Sequence, residues 1–313
     1  MAANAKTIRR RIKSIANTGK ITKAMELVAA SKMQRAVNSV LGTRPYARMA
    51  WETINAVAKS AGEVTHPLLV ENKEAKKTLF ILFTSDRGLA GALNTNMNKA
   101  AAKAVAQIKG DIEAIAVGKR GNAALRRANV PVIASFEGLT NKPMFKDVLP
   151  IGTLVLEEYQ KGTYKDVIIG YTDFISALNQ IPKILKLLPL GQPEDMEGLG
   201  EVGNRTESEN VVTDLQTVQN YRKDESREYK FEPSPEEVLN RILPRLVETM
   251  IYQALLESAA SEHSARMMAM RSASDNAQDM LKELTLTYNQ IRQAGITQEI
   301  AEISGGAAAI NNK

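Results

Sequence analysis

Few residues in this chain have the type and spacing to do covalent or metal chemistry. Its 313 residues include no cysteine and two histidines, His66 and His263. That excludes a disulfide framework, thiolate ligation, a cysteine nucleophile and a polyhistidine metal site. His263 falls inside a helical pattern beside Glu262 and reads as a packed or polar-face residue. Met267, Met268 and Met270 read as helix packing rather than as a cofactor box. The run SDRGLAG (85–91) sits between an apolar stretch and an Ala-rich one, where a dinucleotide fingerprint would lie. It offers G-x-x-G through Gly88 and Gly91, lacks the leading G-x-G and has no Walker lysine. It therefore reads as a turn and helix entry, with Asp86 and Arg87 placed to face a protein partner. No Ser/His/Asp set or paired-acid motif emerges. The expectation is a chain with no catalytic site of its own, no cofactor and no metal.

The elements that must carry these residues form three zones. Residues 1–60 read as one helix. Ile8, Ile12 and Ile15 step by four and three; Ile21, Met25 and Val28 repeat the steps after a phase shift at Gly19; Val37, Val40 and Leu41 continue the stripe. Pro45 is expected to kink or interrupt it. Residues 76–190 alternate strand and helix patterns, with strands at 77–85, 112–118, 130–136, 164–174 and 181–190. Helices read at 91–108, 119–128 and 146–161. Such alternation predicts an α/β domain, Rossmann-like, with a mostly parallel sheet.

The third zone, 234–313, opens on SPEE. Ser234 is the expected N-cap, Pro235 takes the first helical position and Glu237 completes a capping box. Met270, Ala273, Ala277, Leu281, Leu284, Tyr288, Ile291 and Gly295 keep heptad spacing, and Pro244 marks a possible kink. Two long terminal helices predict an antiparallel coiled coil with the α/β domain inserted between its arms. Such helices outrun a domain of this size, and a protruding apolar stripe calls for a partner.

Composition narrows the function classes. Apolar residues are 44% and charged residues 24%, which excludes wholesale disorder and a polytopic membrane protein. The longest apolar runs, such as LFILF (79–83), are far too short to span a bilayer. Residues 1–50 hold eleven Lys/Arg against one acid, Glu26. Such an arm seeks an acidic partner, so a basic coiled-coil nucleic-acid-binding protein is the alternative reading. Aromatics at 5% leave few stacking platforms for that role. Between the α/β zone and the last helix, 191–230 is an acidic insertion or loop; its 192–228 stretch has ten acids and four bases.

Three segments together resemble one family. IRRRIKSIANTGKITKAMELVAASKMQRA (8–36), SDRGLAGALN (85–94) and ARMMAMRSASDNAQDMLKELTLTYNQIRQAGITQEIAEISGGAAA (265–309) are similar to the gamma subunit of F-type ATP synthases. They occur in the family's order and cover both ends and the middle of the chain. Since recognisable motif begins at residue 8, the Arg-rich start is not read as a transit peptide.

The resemblance implies a central rotor shaft. Its partners are three alpha and three beta subunits, the epsilon subunit and a ring of c subunits, with no nucleic acid. Proton-driven rotation of the ring is coupled to ATP synthesis or hydrolysis at the beta subunits, and the shaft regulates ATPase activity. Location is implied as peripheral, on the cytoplasmic face of the bacterial inner (plasma) membrane, with no transmembrane segment. Residue by residue, Met25 in ITKAM matches the position that meets an acidic lever loop of beta, and Arg266 in ARMMAM a partner in the same region. Arg292 and Gln293 in IRQAGIT match residues that hydrogen-bond a loop of beta; Thr297 and Glu302 match positions that affect coupling. Lys20, Lys23, Lys32 and Arg35 form the expected basic shaft surface, acting by screened attraction. Ala90 stands where some photosynthetic relatives have Cys, and a chain with no cysteine has no dithiol switch. The acidic insertion is expected either to moderate hydrolysis or dock on epsilon, or to be a neutral loop extension.

Overall fold

In a computed structural model of the chain, residues 2–60, 66–190 and 234–311 are described. The acidic insertion therefore lies outside the described residues. The elements are helix α1 (Ala2–Ser60), strand β1 (Lys77–Phe83), α2 (Leu93–Gln107), β2 (Ile112–Val117), α3 (Lys119–Arg127), β3 (Val132–Phe136), α4 (Phe145–Gln160), β4 (Tyr164–Phe174), β5 (Gln180–Leu188) and α5 (Pro235–Asn311). Short 3-10 turns occupy Pro67–Leu69 and Leu139–Asn141.

The five strands form one sheet in the order β3-β2-β1-β4-β5. β1 pairs in parallel with β2 and β4, β2 in parallel with β3, and β5 closes antiparallel on β4. The unbroken apolar run of β1 suits a central parallel strand covered on both faces. Leu79, Ile81 and Phe83 point to one core with Ile115, Ile169, α4 and the first turns of α5. Phe80 and Leu82 point to the other with Ala114, Ala116, Met97 of α2 and Leu125 of α3.

The chain divides into two compact units, Met1–Ala30 with Arg266–Lys313, and Ser31–Ala265. The second holds the sheet and the adjoining parts of α1 and α5. There α1 runs antiparallel to α5: Ala36 clusters with Ala259 and Ala260, and Thr43 Oγ1 donates to Gln253 Oε1 seven residues further along α1. In the first unit Gly19 lies against α5, an ideal Cβ there coming 3.4 Å from the Ala277 Cβ.

One expectation for α1 is narrowed and one is corrected. The helix backbone continues through position 45 to Ser60, so the alternative of an interruption at Pro45 falls away. There is also no phase shift at Gly19. The inward residues are Ile8, Ile12, Ile15, Gly19, Thr22, Glu26, Ala29, Met33, Ala36 and Val40, one uninterrupted heptad register. Ile21, Val28 and Leu41 point outward, at 60%, 56% and 46% exposure. Close approach selects small residues for the seam, so alanine and glycine take places that hydropathy alone assigns to isoleucine and valine. Glu26 is tolerated there because Lys23 Nζ reaches its carboxylate at 2.9 Å.

α5 begins as expected, with the Glu237 N–H donating to Ser234 Oγ at 3.2 Å. Near its first turns His66 Nδ1 accepts from the Leu68 N–H at 3.1 Å, which leaves Nε2–H to donate to Asn240 Oδ1 at 3.0 Å. The ring is thus held as the neutral tautomer, and burial lowers its pKa. A depressed histidine pKa gives stability that is complete above the unfolded value of about 6.5 and is lost as pH falls below it. The wild type should therefore lose more stability than H66Q when the urea midpoint is compared at about pH 7.5 and about pH 5.5. Equal losses would remove His66 as the cause.

Candidate functional site

None of the described residues form a group of three or more His, Cys, Asp or Glu placed to hold a metal, and none of their helices is long and apolar enough to cross a membrane. What the fold presents is helix surface and the means of fixing that surface to the sheet.

In the unit of α1 and α5 ends, the α5 heptad from Met270 to Gly295 faces inward at every position, while the residues between are mostly exposed. From Ile296 to Ser304 every side chain is exposed, including Ile296, Ile300 and Ile303 at 48%, 59% and 73%. Apolar side chains at four-and-three spacing with no cover are a contact surface in waiting. Arg292 and Gln293 are exposed at the start of this stretch. Thr297 donates back to the Gln293 carbonyl at 3.0 Å, and Glu302 accepts from Gln298 Nε2 at 2.9 Å. Arg266 and Met25 are half-buried on α5 and α1. Twenty-six residues of helix, about 40 Å, separate Arg266 from Arg292, so the structure does not bring these positions together into one site.

The basic positions differ among themselves. Lys20 is exposed, Lys23 is paired with Glu26, Lys32 donates to Asn141 Oδ1, and Arg35 turns back on Ser31 at 3.3 and 3.4 Å. Three of the four thus make internal bonds, unlike an open phosphate-binding face.

In the sheet unit, α5 is seated by groups that sequence reasoning did not single out. The Thr172 N–H donates to Ser258 Oγ at 3.4 Å, Ser261 Oγ donates to the Thr172 carbonyl at 3.1 Å, and Ser264 Oγ donates to the Ala177 carbonyl at 2.8 Å. His263 Nε2 lies 3.2 Å from the Thr140 carbonyl and the residue is buried, as its packed reading anticipated. The available signal was serine at every third position in SAASEHS, a polar stripe along a helix that buries all of its neighbours. The sheet order reverses between β1 and β4, where open α/β folds commonly bind ligands beyond the strands' carboxyl ends. Here α5 itself engages the end of β4.

The SDRGLAG turn is likewise consumed internally. Asp86 Oδ1 accepts from the Lys119 N–H at 3.1 Å and Oδ2 from the Gly138 N–H at 2.8 Å. A carboxylate thus occupies the N-terminus of α3, where a phosphate would otherwise be favoured. Ser85 N–H and Oγ both bond Asn94 Oδ1, at 3.1 and 3.0 Å, tying the turn to α2. The turn leaves Arg87 and Leu89 outside, Leu89 with a left-handed φ of 63°.

Comparison with known proteins agrees with this layout. A family model described as ATP synthase matches residues 4–310. The ATP synthase gamma chain of Herpetosiphon aurantiacus is 42% identical, across 99% of both chains. That of Desulfitobacterium hafniense is 39% identical, across 98% of this chain and 99% of its own. Among solved structures, the Tetrahymena thermophila mitochondrial ATP synthase central stalk and c-ring provides a chain at 26% identity and TM-score 0.56, covering 81% of this chain and 99% of that one. The rotor of Euglena gracilis mitochondrial ATP synthase provides another at 20% identity and TM-score 0.60, covering 95% and 100%; it supports the fold alone. The chain belongs to the ATP synthase gamma-chain family.

Proposed function

We infer that this chain is the central rotor shaft of an F-type ATP synthase. The observation that carries the reading is the coincidence of full-length family similarity with two helices of 59 and 77 residues. At about 1.5 Å per residue these are roughly 90 and 115 Å long. Paired helices resist bending and twisting, as a shaft must. Its small-residue seam keeps the helices close, while Ile21, Val28, Ile296, Ile300 and Ile303 remain outside for surrounding subunits. Three alpha and three beta subunits would enclose the helices, with epsilon and the c ring at the α/β domain. The beta subunits supply the chemistry; this chain transmits rotation, couples it to ATP synthesis or hydrolysis, and regulates ATPase activity.

Met25 and Arg266 are our proposed contacts with the beta lever loop. Arg292, Gln293, Thr297 and Glu302 are the proposed contacts further along α5, and Lys20, Lys23, Lys32 and Arg35 contribute a basic surface. The protein is peripheral to the membrane, and we place it on the cytoplasmic face of a bacterial plasma membrane.

Reconstitution with purified alpha and beta subunits tests this. Sustained ATP hydrolysis should depend on the chain, with turnover at least about tenfold above a mixture lacking it. If correctly folded alpha and beta gain neither a stable complex nor turnover, the rotor reading falls.

A further inference from the structure

A lysine-lined recess lies at the edge of the sheet where β1, β2 and β4 begin. Lys73, Lys76, Lys109 and Lys165 surround a space of about 510 Å³, with Glu71 as the single carboxylate in its wall. Lys165 engages Glu71 at 2.9 Å and holds that carboxyl below its ordinary range. The next acids are also occupied: Glu113 is bound by Lys77 at 2.7 Å and by Tyr164, and Asp166 by Lys186 at 2.6 Å. Glu74 and Asp111 are exposed nearby. Lys73, Lys76 and Lys109 are exposed and have no ion pair among the described residues.

Their backbones are fixed. Asn72 Nδ2 donates to the carbonyls of Tyr159 and Tyr164 at 3.0 and 2.9 Å, and the Ala75 N–H closes a turn onto the Asn72 carbonyl at 3.2 Å. The Thr78 N–H donates to the Asp111 carbonyl at 2.8 Å. Gly110, at φ +118°, abuts Lys76 so closely that a Cβ would stand 2.5 Å from its carbonyl oxygen. Three ammoniums outside any ion pair among the described residues, Lys73 with only a longer-range pull on Glu71, therefore project from one rigid rim.

We propose that this recess is a docking surface for the phosphate headgroups of an anionic phospholipid bilayer. The proposal rests on the rotor reading, which brings the α/β domain near a membrane-embedded ring. The recess is broadly open, and Ala75 is the one apolar residue in its wall, with no large aliphatic or aromatic side chain there. A protein partner would need an apolar or aromatic anchor, and lysine is depleted at such interfaces. A single free phosphate in an open site is heavily screened, and no arginine fork encloses it. A bilayer surface presents many phosphates at once, so three point charges on one rim act together.

The test uses the full chain and vesicles of phosphatidylcholine with or without phosphatidylglycerol. Flotation should recover the wild type with phosphatidylglycerol vesicles and far less with phosphatidylcholine alone. The triple variant K73Q/K76Q/K109Q should bind at least about tenfold more weakly. An equal charge change elsewhere on the same domain, K99Q/K103Q/K142Q, should cost less than about twofold. Equal losses in the two triples would reduce the effect to bulk charge and overturn the proposal. Calorimetric binding of inorganic phosphate that the recess triple abolishes, with vesicle binding unchanged, would overturn it in favour of a free-anion site. Competition by polyglutamate without vesicle binding would overturn it in favour of an acidic protein. The rotor reading is scored separately: the recess triple should still assemble with alpha and beta and support their turnover. Failure of the wild type to do so would sink that reading and leave the vesicle result standing.

Discussion

Replacing Gly118 by valine is expected to prevent the α/β domain from folding stably. Gly118 joins β2 to α3 with φ +97° and ψ 142°, a region essentially reserved for glycine. A Cβ there would sit 2.1 Å from the Thr84 carbonyl oxygen and 2.8 Å from its carbon. That overlap is with backbone, so no rotamer change relieves it. The surrounding bonds are all at stake: the Thr84 N–H to the Val117 carbonyl, the Gly118 N–H to the Phe136 carbonyl, both 2.8 Å, and the Gly121 N–H to Thr84 Oγ1 at 2.7 Å. Together they hold the carboxyl ends of β1, β2 and β3 and the start of α3. The expected loss is about 4 kcal/mol or more, read as a collapse of soluble yield and of the urea midpoint. Gly138→Ala is the control. Gly138 also has a positive φ, 79°, but nothing lies within 4 Å of its Cβ direction. It should cost only about 1 kcal/mol. Similar losses for the two would show that backbone conformation alone matters and that the steric contact does not.

Gly118 was invisible in the sequence as anything beyond a strand end, and that illustrates where sequence reading stops. Period and apolar content located every strand and helix of the sheet unit, with β4 at 164–174 matched to the residue. The α5 heptad was legible because Met270, Leu281, Leu284 and Ile291 are large and apolar, so periodicity and burial coincide. On α1 they part company. The buried register passes through Gly19, Thr22, Glu26 and Ala29, none of which scores as hydrophobic core, while Ile21 and Val28 face outward. Distance between helices decides that register, and distance is a tertiary quantity. The proposed contact positions Arg292, Gln293, Thr297 and Glu302 rest on family motif rather than on any local signal, and on the structure they are exposed helix residues like their neighbours. The serine stripe of α5 was overlooked because serine in a helix usually marks a solvated face.

That stripe sets the second large effect. If the chain is a shaft, rotation delivered to the sheet must reach α5 without slippage. Apolar packing between Leu246, Val247, Ile251, Leu255 and the sheet resists separation but is weakly directional. Hydrogen bonds fix position along and around the helix axis. Ser261 and Ser264 are fully buried, and each gives its hydroxyl to a carbonyl at the β4 end of the sheet. Thr172 gives its N–H to Ser258 and its carbonyl accepts from Ser261, so α5 takes both backbone groups of that residue. The double variant S261A/S264A leaves both carbonyls buried without these donors. Its expected cost is about 3 kcal/mol in the urea-derived stability of the free chain. In the complex assembled with alpha, beta and the membrane sector, ATP hydrolysis should fall modestly and ATP-driven proton pumping per ATP consumed should fall further. A loosened grip dissipates rotation before it reaches the ring. Ser272→Ala, on the exposed face of the same helix, should change neither quantity. If S261A/S264A lowers stability while hydrolysis and pumping decline in proportion, the serines hold the fold together but take no part in transmission.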